Sequence, residues 1–139
     1  ASGYLGAIYR PKFVADPGVH LTLTTDSLPL TEGPDGQFRI TLFGFLYNPD
    51  EYTLTTTDGL AYRYSQFDGL QSITDRNGNS LTFTNAGIFS STGEHIDFVR
   101  DAAGRITEII DPAGNALTYV YDGAGDLREF RTQSDVTSL

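Results

Sequence analysis

The sequence contains no cysteine, methionine or tryptophan, and only two histidines. Without cysteine, the 139-residue chain cannot be a small disulfide scaffold or form a thiolate metal site. The same absence leaves the compartment open, because many exported bacterial proteins also lack cysteine. Long apolar runs are missing too. The longest, Ile40–Tyr47, falls well short of the roughly 20 residues that span a bilayer and suits a buried strand. Ala1-Ser2-Gly3 has neither the basic start nor the apolar core of a secretory leader, so the chain reads as processed or as a piece of a longer one. Basic residues are scarce. Lys12 is the sole lysine, and 18 acidic residues against 9 basic ones leave a net charge of −9. That balance argues against nucleic acid as a partner and against anionic membrane surfaces. Its plain consequence is a solvated surface.

What the chain does have is aromatic and turn-forming residues: 8 Tyr, 9 Phe and 15 Gly. Helix signals are poor, and alternation at period two recurs. Val19, Leu21 and Leu23 share a face, as do Tyr52, Leu54 and Thr56. The same holds for Leu60, Tyr62 and Tyr64, for Leu81 and Phe83, for Ile96 and Phe98, and for Leu117, Tyr119 and Tyr121. Turn signals such as Asp58-Gly59, Asp68-Gly69, Asn77-Gly78, Ala103-Gly104 and Ala113-Gly114 punctuate these runs. The pattern predicts an all-β fold of consecutive antiparallel hairpins. Asn77-Gly78 and Asp58-Gly59 suit type I′ turns, with positive φ at both central residues. Strands are expected over Val19–Thr25, Phe38–Tyr47 and Glu51–Thr57.

The chain repeats itself. Asp75–Thr84 matches Asp111–Val120 at an offset of 111 − 75 = 36, and Leu70–Asp75 matches Ile106–Asp111 at the same offset. A second register, Asp101–Ile109 against Asp122–Phe130, has an offset of 122 − 101 = 21. The difference of 15 points to an insertion around Asn85–Gly93 in the earlier unit. One full unit is anchored by Asp101, Gly104, Asp111, Gly114, Tyr119, Tyr121, Asp122 and Gly125. Each Asp can accept hydrogen bonds from backbone amides of its own turn, and each Gly supplies positive φ. A lone hairpin cannot bury its apolar face, so such units need neighbours.

This unit resembles the YD repeat of the Rhs family, whose Tyr-Asp pair stands here as Tyr121-Asp122. Gly125 and Leu127 follow where the family prefers Gly-Arg-Leu, and Asp101-Ala-Ala-Gly-Arg-Ile106 is the better copy. The resemblance covers about residues 58–131. It divides the chain into an extended arm (1–17), a β-rich lead-in (18–57) and a repeat array (58–139). It implies a continuous twisted sheet of the YD-repeat kind. In bacterial Rhs proteins, insecticidal toxin complexes and teneurins, such sheets close into large shells. It also implies an extracellular or cell-surface setting, bacterial in origin. A shell needs more units than are visible here, and 134–139 looks like the start of another. The chain therefore reads as a fragment, or as a short relative whose open sheet is completed by other copies of itself through strand pairing. Shells of this type often carry paired Asp-Pro-x-Gly motifs linked to self-cleavage. Asp111-Pro-Ala-Gly114 has that form without a second copy, and its place inside a regular repeat favours a turn.

No catalytic residues and no cofactor are expected. His20 and His95 lack metal-ligand spacing and suit surface or turn roles. Asp75, Asn77 and Asn79 alternate as in a calcium loop, but Ala86 stands where an EF-hand needs Glu. The three are retained only as loose Ca²⁺ candidates. Tyr52, Tyr62, Tyr64, Tyr119 and Tyr121 lie on sheet faces, where packing is the plain reading and glycan stacking the sharper one. The leading function is a structural β-scaffold segment, and the alternative is a carbohydrate-binding or adhesive module.

Overall fold

The computed structural model describes residues 6–132, and every regular element among them is a β-strand. The chain divides into two compact units, Ala1–Arg76 and Asn77–Leu139. The expected start of a further repeat at 134–139 lies outside the described residues.

The first unit holds β1 (Ile8–Tyr9), β2 (Thr22–Thr25), β3 (Leu30–Glu32), β4 (Phe38–Ile40), β5 (Glu51–Thr55), β6 (Ala61–Ser65) and β7 (Gly69–Thr74). A small sheet has the order β1-β3-β4, with Tyr9 paired to Leu30 and Leu30 to Ile40. Leu30 is buried there, and the Tyr9 and Phe38 rings meet edge-on at 5.1 Å. The other strands run β2-β5-β6-β7, all antiparallel. Directly opposed residues share a face. One cross-strand row is therefore Leu23, Leu54, Tyr62 and Ile73, and the row beside it is Thr25, Tyr52, Tyr64 and Leu70.

The second unit is a six-stranded meander. Its strands are β8 (Ser80–Thr84), β9 (Gly87–Ser90), β10 (His95–Arg100), β11 (Ile106–Ile110), β12 (Ala116–Tyr121) and β13 (Leu127–Thr132), each paired antiparallel with the next. Phe83, Ile88 and Ile96 form one row; Phe98, Ile109, Leu117 and Thr132 form another. Tyr119 faces Phe130 with ring centroids 5.5 Å apart. Little of this is sealed from water. Among the described residues only Leu30, Ser65 and Gly87 are buried.

One turn design joins most of the hairpins. Starting at Gly33, Thr56, Ser90, Asp101, Asp111 and Asp122, the fourth residue donates its N–H to the carbonyl of the first. The first in turn donates to the carbonyl of the fifth, at 2.8–3.1 Å throughout. The fourth residue is always Gly, with φ between 74° and 99°. This is a type I turn closed by a glycine bulge. It corrects the type I′ expectation, because Asp58 and Asn77 do not have positive φ. Outside the Gly33 turn, where Asp35 takes that part, the carboxylate or hydroxyl at the first position already serves the turn, so only one left-handed residue is needed.

All three strand expectations shorten, Glu51–Thr57 only by its last two residues. Val19–Thr25 is a strand only from Thr22. Phe38–Tyr47 stops at Ile40, turns over Thr41–Phe43 and touches the sheet again at a single bridge, Arg39 to Leu46. Gly44, at φ 71°, accepts the sharp reversal that continuous pairing does not allow.

Candidate functional site

The repeat positions converge on the turns. Asp101 accepts the backbone N–H groups of Ala103 (2.9 Å) and Arg105 (3.0 Å), and its second oxygen takes the Arg105 side chain at 2.8 Å. Asp111 repeats the pattern with Ala113 (2.9 Å) and Asn115 (2.8 Å), and the Asn115 amide occupies its other oxygen at 2.8 Å. Asp122 accepts Ala124 (2.9 Å) and Asp126 (3.0 Å). The Arg105 side chain holds the Asp101 carboxyl below the usual carboxylate range, aided by the backbone donors. At Asp111 the Asn115 side chain does the same, followed by the amide of Asn115. With both oxygens of Asp111 engaged, a structural role for Asp111-Pro-Ala-Gly114 is explained by its contacts. Gly104, Gly114 and Gly125 are the left-handed residues of their turns.

Tyr121 is fixed from two directions. Its hydroxyl donates to the Ile106 carbonyl at 2.7 Å, and the Arg105 guanidinium lies 4.5 Å from its ring centroid. A side chain built at Gly125 would stand 3.1 Å from the Arg105 guanidinium, so the same arginine reaches from its own turn to the next one along that edge. Arg100 bridges similarly, bonding the carbonyls of Asn85 (2.9 Å) and Gly104 (2.8 Å). In the first unit Arg76 reaches back to the Asp58 carbonyl at 3.0 Å. Sequence reasoning missed these arginine links between alternate turns. Their signal is Arg beside an Asp or Gly turn marker, visible at Arg76, Arg100 and Arg105.

Ser65 is a buried polar group that the sequence did not flag. Its hydroxyl donates to Asp50 at 2.9 Å and accepts the amides of Phe67 and Asp68, both at 3.1 Å. It is the linchpin of the β6–β7 turn.

The tyrosines separate into two groups. Tyr119 and Tyr121 pack within the second unit, with one Tyr121 face covered by Arg105. Tyr52, Tyr62 and Tyr64 join Leu23, Leu54 and Leu70 around a hollow of about 430 Å³ in the first unit. Its wall consists of apolar atoms, and Tyr64 is half exposed.

The remaining candidates lie apart from these features. His95 opens β10, stacks on Phe89 at 5.9 Å and sits 3.3 Å from an Asp97 oxygen. His20 is exposed in a connecting segment. Asp75, Asn77 and Asn79 fall in the turn that follows β7, and none of the three lacks an interaction partner. Among the described residues no cluster of three or more His, Asp or Glu forms a metal cage.

Compared with known families, residues 100–135 match the RHS Repeat family. The matched stretch contains the Asp101, Asp111 and Asp122 turns and strands β11, β12 and β13. No curated protein matches the chain.

Proposed function

We propose, from the match of residues 100–135 to the RHS Repeat family, that this chain is a non-catalytic β-scaffold segment of a larger exported protein, set outside the cell or on its surface. Its sheet would be extended by further repeat units, or by other copies, through strand pairing. The observation that carries this reading is the economy of the turns. The turn carboxylates of Asp101, Asp111 and Asp122 and the Tyr121 hydroxyl are all engaged in holding hairpins in register. The described β13 pairs on one side only, with β12, and an unpaired edge invites another strand.

Hydrogen exchange across a concentration series tests edge pairing. Amides of Leu127–Thr132 should slow as concentration rises. A monomer whose β13 amides exchange freely at every concentration defeats self-pairing. The glycan reading draws on Tyr52 and Tyr64 lying directly opposed on an open face. Its weakness is the apolar wall of the hollow, which offers no hydroxyl-binding groups. A glycan array without hits removes it.

A further inference from the structure

The loop 41–47, between β4 and β5, displays apolar side chains outward. Leu42, Phe43, Phe45 and Leu46 are 81, 63, 71 and 54% exposed. From Ile40 through Pro49 there is no charged residue. The backbone of the loop is nonetheless paired. Ile40 donates to Phe45 (2.8 Å), Phe43 and Gly44 donate to Ile40 (3.1 and 2.7 Å), and Tyr47 donates to Phe38 (2.9 Å). Such a loop can leave water without orphaning those donors. A cluster of four projecting apolar side chains is unusual on a surface that stands alone.

The same unit carries the opposite shape, the hollow of about 430 Å³ between Leu23, Tyr52, Leu54, Tyr62, Tyr64 and Leu70. We propose that two copies of this chain associate by seating the Leu42–Leu46 loop of each in the tyrosine hollow of the other.

Three properties select a second copy as the occupant. First, loop and hollow are both uncharged, so their contact opposes no like charges. Second, the four projecting side chains expose roughly 500 Å² together. A two-fold pair, with the walls it covers, therefore buries on the order of 1,200 Å², the lower end of specific interfaces. Reciprocal contact by one surface is also what two-fold symmetry requires. Third, a net charge of −9 on each copy disfavours anionic lipid as the rival occupant. The same charge resists dimer formation at long range, so added salt should tighten the pair. This interface uses a different surface from the edge pairing proposed above.

Because the chain has no cysteine, single cysteines can report the contact directly. Phe43→Cys and Tyr64→Cys variants, mixed and oxidised, should form a disulfide-linked dimer. Phe43→Cys mixed with Thr82→Cys, on an exposed position of the other unit, should not. Sedimentation velocity of the parent chain should show a concentration-dependent dimer, strengthened by salt. The Phe43→Ser, Phe45→Ser double variant should be monomeric with an unchanged circular dichroism spectrum. A parent chain monomeric at every concentration overturns the proposal, as does equal cross-linking to Thr82→Cys. So does association that survives the double variant while β13 amides become protected; that outcome leaves edge pairing standing. Loop-dependent binding to phosphatidylcholine vesicles by a chain that stays monomeric also overturns it.

Discussion

At the scale of single residues, the fold rests on a few positions with no substitute. Gly87 is buried at φ 153°, and a side-chain carbon there would collide with the Ile96 carbonyl of β10. Gly87→Ala should cost about 2 kcal/mol or more, read by urea denaturation. Ser65→Ala strips one donor and one doubly used acceptor from a buried site, for an expected loss of about 1–3 kcal/mol by the same measurement. The turn aspartates predict a pH dependence. Asp101 and Asp111 have their folded pKa values lowered from 3.8, so their stabilisation is complete above about pH 4. It is lost as pH falls through the lower folded values. Thermal melts from pH 7 down to 2 should show a falling Tm below pH 4, and the fall should be shallower in Asp111→Asn. Such positions were only partly legible in the sequence. The aspartates announce themselves by spacing, whereas nothing local distinguishes Ser65 or Gly87 from neighbours that do no comparable work.

At the scale of elements, sequence period and backbone irregularity coincide. Gln71, Thr107 and Arg128 are extra residues in β7, β11 and β13, each facing a shift in its partner strand. Their spacings, 107 − 71 = 36 and 128 − 107 = 21, are the two sequence offsets. The repeat therefore encodes a bulge as well as a turn, and a bulge adds local twist. The 15-residue difference between the registers becomes strand β9 with its flanking turns and one further strand's length. Two strands are the smallest insertion that leaves later strand directions unchanged. The Arg105–Tyr121 contact is also an element-level device, since it ties one hairpin to the next. Tyr121→Phe, which removes only the bond to Ile106, should cost about 1 kcal/mol in urea denaturation. Asp126 stands where the two preceding turns have Arg105 and Asn115; its backbone N–H bonds Asp122, but its side chain has no amide or guanidinium to offer. Asp126→Asn should stabilise by about 0.5 kcal/mol, seen as a raised Tm. Periodicity failed at Ile40–Tyr47 because an apolar run alone does not say whether it is buried in a strand or displayed on a loop. The reversal at Gly44 decides, and a single glycine in the run is a weak mark.

At the scale of the molecule, hydrogen bonding outweighs burial. Strands pair with strands throughout both units, yet the described apolar side chains are mostly half exposed. The heat capacity change on unfolding follows apolar surface removed from water. A compact 139-residue chain would give roughly 1.7–2.1 kcal/mol/K. Calorimetry of this chain alone should give a clearly smaller value, rising towards that range if association covers the sheet faces. The all-β fold class was readable because strand alternation and turn residues agree over most of the length. The degree of exposure was not, since alternation marks which side chains share a face without saying what lies against that face.

The common turn also divides its labour unequally. Its first residue supplies the acceptor and its fourth the left-handed glycine, while in the Asp101, Asp111 and Asp122 turns the second and third contribute no side chain, the third giving only its backbone N–H. Ala102, Pro112 and Gly123 fill the second place with three unlike residues at the same geometry, and Ala103, Ala113 and Ala124 fill the third with a side chain that makes no polar contact. The hairpin tips are thus free to vary in chemistry while the frame of each hairpin stays constant. A library randomised at those six positions should retain the parent's circular dichroism spectrum in most members, so each tip can be rewritten without disturbing the strands it joins.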